Sequence, residues 1–542
     1  MLNFNVHISH LLRDMKRLFT KPAALATAAL LLASGCTDRF QEINTNPTTY
    51  TQNSFDPNYL LTQTQLTYTG STDFAYEAWR GNLIYCSGIV QGFATVLGYW
   101  AGDKYLLNEG FTGAYWERAY SEQMKAATDL VAFTDGKSQY KNLHQIARIM
   151  RALVAERITD LYGDVPYSQA GQGYYTGVIT PVYDTQQSIY ADLIKEVTEA
   201  SAALDSNADI ASGDVFYKGN IAQWQRFSNS LLLRLGMRLV KVDPTTAQKI
   251  AAQVQGKTMT SDADNAYVLA DVSGGRATTN RNSQVLLGDG GQEHYYVKWS
   301  KTFIDYLQAN SDPRLGKIAV TQLYLSDASR TQNANYVTTA SAQKGQPNGK
   351  DFNARPSTFI FTDPSFSGFT AYSSPHPGMI KRTGPTFVLT YAESELLLAE
   401  AAQRFGLTSN GSATSHYNAG VTAAMTYLSQ YDAAMTVATS DISSYLAAHP
   451  YVATQGLEQI NTQYWVLTCS MLDFYEAWSN YRRTGYPALT PINYPNNATN
   501  GQVPRRFPYP TSEAASNPTN YATARAAVSG GDFLTGRVYW DK

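Results

Sequence analysis

Aromatic residues in glycine-rich stretches are the side chains of this sequence best suited to binding a ligand. Flat rings stack on apolar faces, including those of sugar rings, although most aromatic side chains fill cores. The sequence is rich in them, with 38 tyrosines, 8 tryptophans and 21 phenylalanines. Three stretches with glycine and polar neighbours supply the ligand-binding candidates Tyr99, Trp100, Tyr295, Tyr296, Trp299, Phe366, Phe369 and Tyr372.

Other tryptophans lie where the apolar residues follow a helical period. At such positions, core packing is a better interpretation than ligand binding. The predicted core tryptophans are Trp79, Trp116, Trp224, Trp465 and Trp478.

Signals for catalysis are poor. The five histidines after residue 36 are spread too widely for a local zinc motif, and neither a phosphate-binding loop nor a dinucleotide fingerprint is present. The formal net charge is −2, which disfavours nucleic acid because a polyanion needs a clustered basic surface. We therefore expect a protein without catalytic residues, metal or cofactor. A glycosidase carboxylate pair assembled from distant positions stays open as a lesser alternative.

The first residues have the features of a secretory signal. Lys16, Arg17 and Lys21 precede an apolar run at 23–33 that is too short for a permanent membrane helix. The run ends in ASGC at 33–36, which resembles a lipobox. We predict a signal peptide at 1–35 and a diacylglycerol lipid on Cys36. Met15 opens a more ordinary signal than Met1, so residues 1–14 are a candidate over-long start.

Beyond the lipobox, composition separates a tether from a helical domain. Residues 36–53 are polar and rich in Thr, Asn and Pro, a composition that does not bury enough apolar surface to order itself. Residues 54–542 are predicted to form one domain, and 257–385 read as a loop-rich section within it. Apolar residues at helical spacing predict helices at 142–161, 186–204, 222–241, 387–405, 414–430 and 455–483.

The predicted fold is mainly α, a tetratricopeptide-like scaffold of helical hairpins with long loop-rich insertions. Asp184 with Gln187 has capping-box spacing before the second predicted helix, and Gly163 ends the first. Cys86 and Cys469 are too few for a disulfide framework, so two buried free thiols are the preferred prediction and a disulfide is the alternative.

Several motifs along the chain resemble the SusD/RagB family, in the family's order, and specifically its SusD-like 2 branch. The most specific is TDLYGDVPY at 159–167, followed by PVYD at 181–184. The others are FQEINTNP at 40–47, WQRFSNSLLLRLGMR at 224–238, DPRL at 312–315, residues 395–402, EAW at 476–478, RRTGYP at 482–487, RRFPYP at 505–510 and VYWD at 538–541.

Physically, these motifs point mostly to structure. Asp160 and Asp164 are expected to accept backbone hydrogen bonds at the turn after the first helix. Arg482 and Arg483 stand at a helix end, where they are expected to pair with carboxylates, with an anion site as the alternative.

The resemblance implies a lipid-anchored, surface-facing outer-membrane protein of Bacteroidetes. In this family such a protein captures oligosaccharides and delivers them to a SusC-like TonB-dependent transporter. Related proteins build sugar platforms from loop aromatics, which agrees with the candidates above. Peptide capture, as in the RagB side of the family, stays open, and a structural lid without ligand contact is a more distant alternative.

Overall fold

Helices form the frame of the protein, which a computed structural model describes for residues 55–73 and 76–542. The α-helices of nine or more residues are α1 (Asn58–Tyr68), α2 (Lys125–Thr134), α3 (Lys141–Tyr162), α4 (Gln186–Ala203), α5 (Ile221–Arg238), α6 (Pro244–Val254), α7 (Lys301–Ala309), α8 (Tyr391–Phe405), α9 (Ala413–Thr426), α10 (Thr439–Ala448), α11 (Gly456–Ser470), α12 (Phe474–Thr484) and α13 (Pro518–Ala527). The prediction of a mainly α protein is confirmed. The predicted signal peptide, the Cys36 lipid site and the tether to residue 53 lie outside the described residues.

Neighbouring helices in the chain pack on each other as hairpins. The pairs α2–α3, α3–α4, α5–α6, α8–α9 and α11–α12 are all in contact. Gly420 shows why the α8–α9 pair is so close: a Cβ there would lie 2.8 Å from the Leu396 side chain. One main hydrophobic core runs through Pro57–Lys542. Two π-type helices, Ala78–Cys86 and Ala119–Met124, also border this core.

Local signals explain most helix ends, with one correction to a predicted cap. Gly163 follows α3 with φ +85°, a value that glycine adopts at little cost. The N-cap of α4 is Thr185, whose hydroxyl accepts a hydrogen bond from the Ser188 amide, and not the predicted Asp184. Asp184 instead accepts hydrogen bonds from the Tyr167 and Ser168 amides, at 3.0 and 2.7 Å.

Two helices have bounds in the structure that differ from those predicted. Residues 387–405 begin as a strand, and the helix starts only at Tyr391, after the Thr390 cap. Residues 455–483 are two helices, because Leu472 takes φ +59° and Asp473 caps a new start.

The strands are short and pair antiparallel in twos. They are β1 (Phe93–Ala94) with β5 (Lys298–Trp299), β2 (Val165–Pro166) with β3 (Tyr183–Asp184), β4 (Ala266–Leu269) with β8 (Pro385–Leu389), and β6 (Ala319–Val320) with β7 (Ser374–Pro375). Residues 257–385 hold most of these strands together with α7 and short helical turns. The section therefore has long connections held by short strand pairs between residues far apart in the chain.

The family motifs meet in a network of buried ion pairs. Arg238 of α5 donates to Asp160 of α3 at 3.0 Å and to Glu476 of α12 at 2.5 Å. Arg234, one turn earlier, donates to both oxygens of Glu393 in α8, at 2.6 and 2.9 Å. Charged groups tie four helices together inside the core.

The structure corrects the predicted role of Asp160 and confirms that of Asp164. Asp160 binds side chains and not the turn backbone, since it also accepts from the Tyr190 hydroxyl and from the Trp540 indole. Asp164 does accept a backbone hydrogen bond, from the Gln186 amide at 2.8 Å.

A second ion pair joins α12 to α8. Arg483 donates to both oxygens of Glu400, each at 2.7 Å, and both side chains are fully buried. Arg482 donates to the Asp160 and Arg505 carbonyls at 2.7 and 3.0 Å. Pairing with a carboxylate is confirmed for Arg483, whereas Arg482 binds backbone carbonyls, and both side chains are too buried to meet an anion.

The cysteine prediction is also confirmed. Cys86 and Cys469 are free and buried. Burial raises the pKa of both thiols, so they act as small apolar side chains.

We expect Glu400→Gln to destabilise the protein strongly, because it leaves the Arg483 guanidinium buried without its charge partner. Losing one member of a buried pair costs roughly 3–5 kcal/mol. Denaturant unfolding at pH 7 measures this. The matched control is Glu199→Gln, which loses an exposed carboxylate and should change the free energy of unfolding little.

The same pair predicts a pH dependence. Burial by itself raises the pKa of Glu400, but Arg483 and Arg404 lower it to about 2, against an ordinary value of 4.5. A carboxyl with a lowered folded-state pKa contributes stability that is complete above pH 4.5 and is lost as the pH falls toward 2. Glu400→Gln should lose this part of the pH dependence. An unchanged slope between pH 4.5 and 2 would refute the assignment.

Candidate functional site

Five loop aromatics lie together at the surface and form what we call the aromatic surface. Its members are Tyr295, Tyr296, Phe352, Phe361 and Phe366. Phe352 and Phe361 are 43% and 53% exposed, while the other three are half-buried. Large apolar rings are thus exposed to solvent here, an arrangement that marks an interaction site.

The rings are held by one another. Phe369 lies beneath them, with ring centroids 4.9 Å from Tyr296, 5.8 Å from Phe352 and 5.1 Å from Phe366, all near edge-to-face. Edge-to-face pairs contribute about 0.5–1.5 kcal/mol each beyond area burial. The aromatic surface is therefore preformed.

A small hydrophobic core of its own supports this surface. Val96, Ile360, Phe369 and Tyr372 form a buried cluster separate from the main core. Phe369 and Tyr372, both predicted to bind ligand, are buried here. Their position corrects the prediction, since they hold the exposed rings in place and offer no open face.

Trp100 and Trp299 require a larger correction, because both lie in the main core. The Trp299 ring stacks on Phe303 at 4.8 Å, and its indole donates to the Ile318 carbonyl at 3.0 Å. Trp100 is 1% exposed. Neither ring has a face to offer a ligand.

Glycine misled the interpretation of the Trp100 stretch. A Cβ on Gly102 would lie 2.2 Å from the Tyr85 carbonyl oxygen. Glycine is there because two backbones touch. The same composition that suggests an exposed loop here reflects close packing.

Tyr99 is exposed and fixed by a buried carboxylate. Its hydroxyl donates to Glu293 at 2.6 Å, and its ring meets Trp79 edge-on at 6.3 Å. Burial raises the pKa of Glu293. Glu293 precedes Tyr295 by two residues, so the turn that carries the aromatic surface also orients Tyr99.

Polar groups border the aromatic surface. The Asp327 carboxylate accepts hydrogen bonds from the Tyr296 hydroxyl at 3.1 Å and from the exposed Gln292 amide at 3.2 Å. Rings beside carboxylate and amide groups suit a ligand with apolar faces and hydroxyl edges, as sugars have.

Two of the basic side chains near this site, His294 and Lys298, are buried. Burial and then Arg330 lower the pKa of His294 to about 4, so this imidazole is neutral at pH 7. Burial lowers the pKa of Lys298 to about 7, and its amine donates to the Ser374 hydroxyl at 2.8 Å. Arg330 is an exposed cation here and the Asp327 carboxylate is an anion at the same site, so the surroundings carry both signs of charge.

Four residues of this site were not predicted from the sequence: Phe352, Phe361, Gln292 and Asp327. Phe352 lies in the loop-rich section between two polar residues, as Phe366 does, so the same criterion would have found it, whereas Phe361 follows the apolar Ile360 and carries a weaker signal. Gln292 and Asp327 carry no local signal, because the chain brings them to the rings only after folding.

Within residues 55–73 and 76–542, no group of three His, Cys, Asp or Glu side chains is placed to hold a metal ion. In that same part of the chain, no helix is long and apolar enough to cross a membrane.

The predicted core tryptophans lie on helices as expected. Trp116, Trp224, Trp465 and Trp478 are buried, which confirms the prediction, while Trp79 is only half-buried.

The frame of helices is that of a SusD-like protein. The chain belongs to the SusD-like 2 family, described as starch-binding and associating with the outer membrane, whose model matches residues 49–510. No curated protein matches the sequence.

Solved structures agree with this assignment. A chitin-binding protein shares 33% identity, with TM-score 0.77, over 90% of this chain and 100% of its own. The SusD-like protein of Bacteroidetes AC2a shares 25% identity, with TM-score 0.77, over 90% and 100%. A chitin-binding SusD homologue from Flavobacterium johnsoniae, at 22% identity, TM-score 0.71 and coverage of 90% and 98%, shows the same fold.

We expect the two kinds of aromatic residue to separate in a stability measurement. Trp299→Ala should cost about 3–5 kcal/mol of unfolding free energy, as other large buried aromatics do. Phe361→Ala should cost less, about 1–2 kcal/mol, because its ring is half in solvent and the variant loses only edge contacts with neighbouring rings. Calorimetric or denaturant unfolding measures the unfolding free energy of both variants. Equal losses of unfolding free energy would mean that Phe361 belongs to the core.

Proposed function

We propose that this protein is a non-catalytic, lipid-anchored protein of the outer cell surface that captures oligosaccharides and passes them to a SusC-like TonB-dependent transporter. The aromatic surface is the observation that carries the proposal. It offers preformed, exposed rings beside hydrogen-bonding groups, in a protein whose family is described as starch-binding.

Chitin-type chains are the preferred ligand class. The relative with 33% identity is a chitin-binding protein. β-Linked N-acetylglucosamine is uncharged, and its rings present apolar faces that Phe352 and Phe361 can cover. Asp327 and Gln292 supply an acceptor and a donor for hydroxyl and amide groups at the edge.

Capture without chemistry fits the groups at this site. Glu293, the buried carboxylate nearest to Tyr99, is engaged with that tyrosine and lies behind it. A glycosidase needs two carboxyl groups flanking the bond to be cleaved, about 5–10 Å apart and open to the substrate. The aromatic surface instead presents rings, which bind and do not transfer protons.

The proposed lipid anchor accounts for delivery of the saccharide to the transporter. A diacylglycerol on Cys36 would hold the domain on a tether of some 17 residues, long enough to move relative to the membrane while staying beside a transporter. A single aromatic contact is weak, so several rings acting together give a ligand that is held but can be released.

We expect the exposed rings to carry binding. Phe352→Ala and Phe361→Ala should each weaken chitohexaose binding about fivefold, the equivalent of about 1 kcal/mol per ring contact. Isothermal titration calorimetry measures this, with melting temperature as the check on folding. The matched control is Phe533→Ala, an exposed phenylalanine away from the aromatic surface, which should bind as the wild type does.

Maltohexaose and a mixture of short peptides serve as competing probes in the same titration. Preference for maltohexaose would keep oligosaccharide capture and change the sugar. Peptide binding that depends on Phe352 and Phe361, without saccharide binding, would replace the proposal with peptide capture.

The anchor predicts a separate result. Cys36→Ala should release the protein from the outer-membrane fraction, because one residue carries the whole lipid. Fractionation in a strain that lacks the transporter measures this, and Thr37→Ala, which keeps the lipid site, should remain bound. Retention of the Cys36→Ala protein in that strain would show that another anchor exists.

A further inference from the structure

A second pair of exposed aromatics lies on the connection between α3 and α4. The short helix Gly173–Thr176 carries Tyr174, 85% exposed, and Tyr175, 49% exposed. Their ring centroids are 5.3 Å apart and the rings are perpendicular. Neither residue belongs to the aromatic surface or to the small core beneath it.

These tyrosines line an open cavity of about 570 Å³. Its other walls are Tyr120, Lys125, Asp129, Gly171 and Gly173. Ligand cavities commonly have volumes of about 300–1,000 Å³. The cavity is therefore large enough for two or more sugar rings.

The cavity is built on a fixed segment. A Cβ on Gly171 would lie 3.0 Å from the Thr128 side chain, so the segment packs directly on α2. The Tyr175 hydroxyl donates to Asp129 at 3.1 Å, and the Tyr120 hydroxyl donates to the Pro166 carbonyl at 2.6 Å. Fixed rings lose little entropy when a ligand binds.

The far end of the segment is also fastened. The Val182 amide donates to the Gln169 side chain at 3.1 Å, and the Asn517 amide nitrogen donates to the Pro181 carbonyl at 2.7 Å. The segment that carries the tyrosines is thus held at the surface by hydrogen bonds at both of its ends.

The wall chemistry decides the ligand class. Two tyrosine rings supply flat apolar faces, Asp129 supplies an acceptor and Lys125 a donor. One positive and one negative group leave the cavity near neutral, so a polyhydroxylated neutral ligand fits better than an anion or a cation. Ile179 and Val182 on the same connection are exposed aliphatic residues, but neither lines the cavity.

We propose that the cavity at Tyr174 and Tyr175 is a second saccharide-binding site, separate from the aromatic surface. This inference rests on the proposed function, since it takes the same class of ligand. Two sites on one protein would hold a long glycan more tightly than either alone, because the second contact becomes intramolecular.

The test uses the double variant Tyr174→Ala/Tyr175→Ala in two backgrounds, the wild type and Phe352→Ala/Phe361→Ala. Chitohexaose binding is followed by ligand-observed NMR titration, and retention on insoluble chitin is measured in parallel. The control is Tyr59→Ala, a comparably exposed tyrosine on α1. Melting temperatures confirm folding.

We expect residual chitohexaose binding in the Phe352→Ala/Phe361→Ala background and its loss, by about tenfold or more, when Tyr174 and Tyr175 are also replaced. In the wild-type background the tyrosine variant should keep most of its hexasaccharide binding but be retained less on polymeric chitin. Tyr59→Ala should change neither.

Residual binding that survives the loss of both tyrosines would overturn the second site while leaving the aromatic surface intact. So would a tyrosine variant that binds chitin normally but no longer co-purifies with the transporter, since that would make this segment a protein contact. A wild type that binds no saccharide at all would remove the proposed function, and this inference with it.

Discussion

Charge burial is the constraint on which the rest of this structure depends. Arg234 and Arg238 stand one turn apart on α5, and both guanidinium groups lie inside the core. An unpaired buried charge is very unfavourable, so each arginine needs carboxylates at fixed positions. Asp160, Glu393 and Glu476 supply them from three other helices.

This requirement sets the register of the helices more sharply than apolar packing does. A helix that slid by one turn would still bury leucines, but it would separate a guanidinium from its carboxylate. The arginines do not offset burial everywhere in the network, since burial raises the pKa of Glu156 although Arg234 lies beside it. Burial by itself raises the pKa of Glu476, but Arg238 and Arg234 lower it to about 2.

A frame fixed in this way leaves the connections free to carry function. The aromatic surface rests on its own small core around Phe369, and the Tyr174 and Tyr175 cavity rests on α2 through Gly171. Neither site contributes ion pairs to the central network. Ligand preference can therefore change through loop residues while the helices that hold them keep their positions.

The sequence by itself determined the helical frame and the class of protein. Apolar residues at helical spacing placed α3, α4 and α5 within a few residues of their true bounds, because that signal is local. The motif residues identified the family, although the sequence did not show which partners their side chains bind. Asp160 looks like a turn residue in the sequence, whereas in the structure its carboxylate binds Arg238 and Trp540.

Only the tertiary structure decided which loop aromatics face solvent. Trp100, Trp299 and Phe361 all lie in sequence stretches without a helical period, with polar or glycine residues nearby, yet two of these rings are buried and one is exposed. Burial depends on which distant segment covers a ring, as β1 covers Trp299 and the Ala78–Cys86 helix meets Gly102. Such contacts join residues far apart in the chain, so they cannot be inferred from local composition.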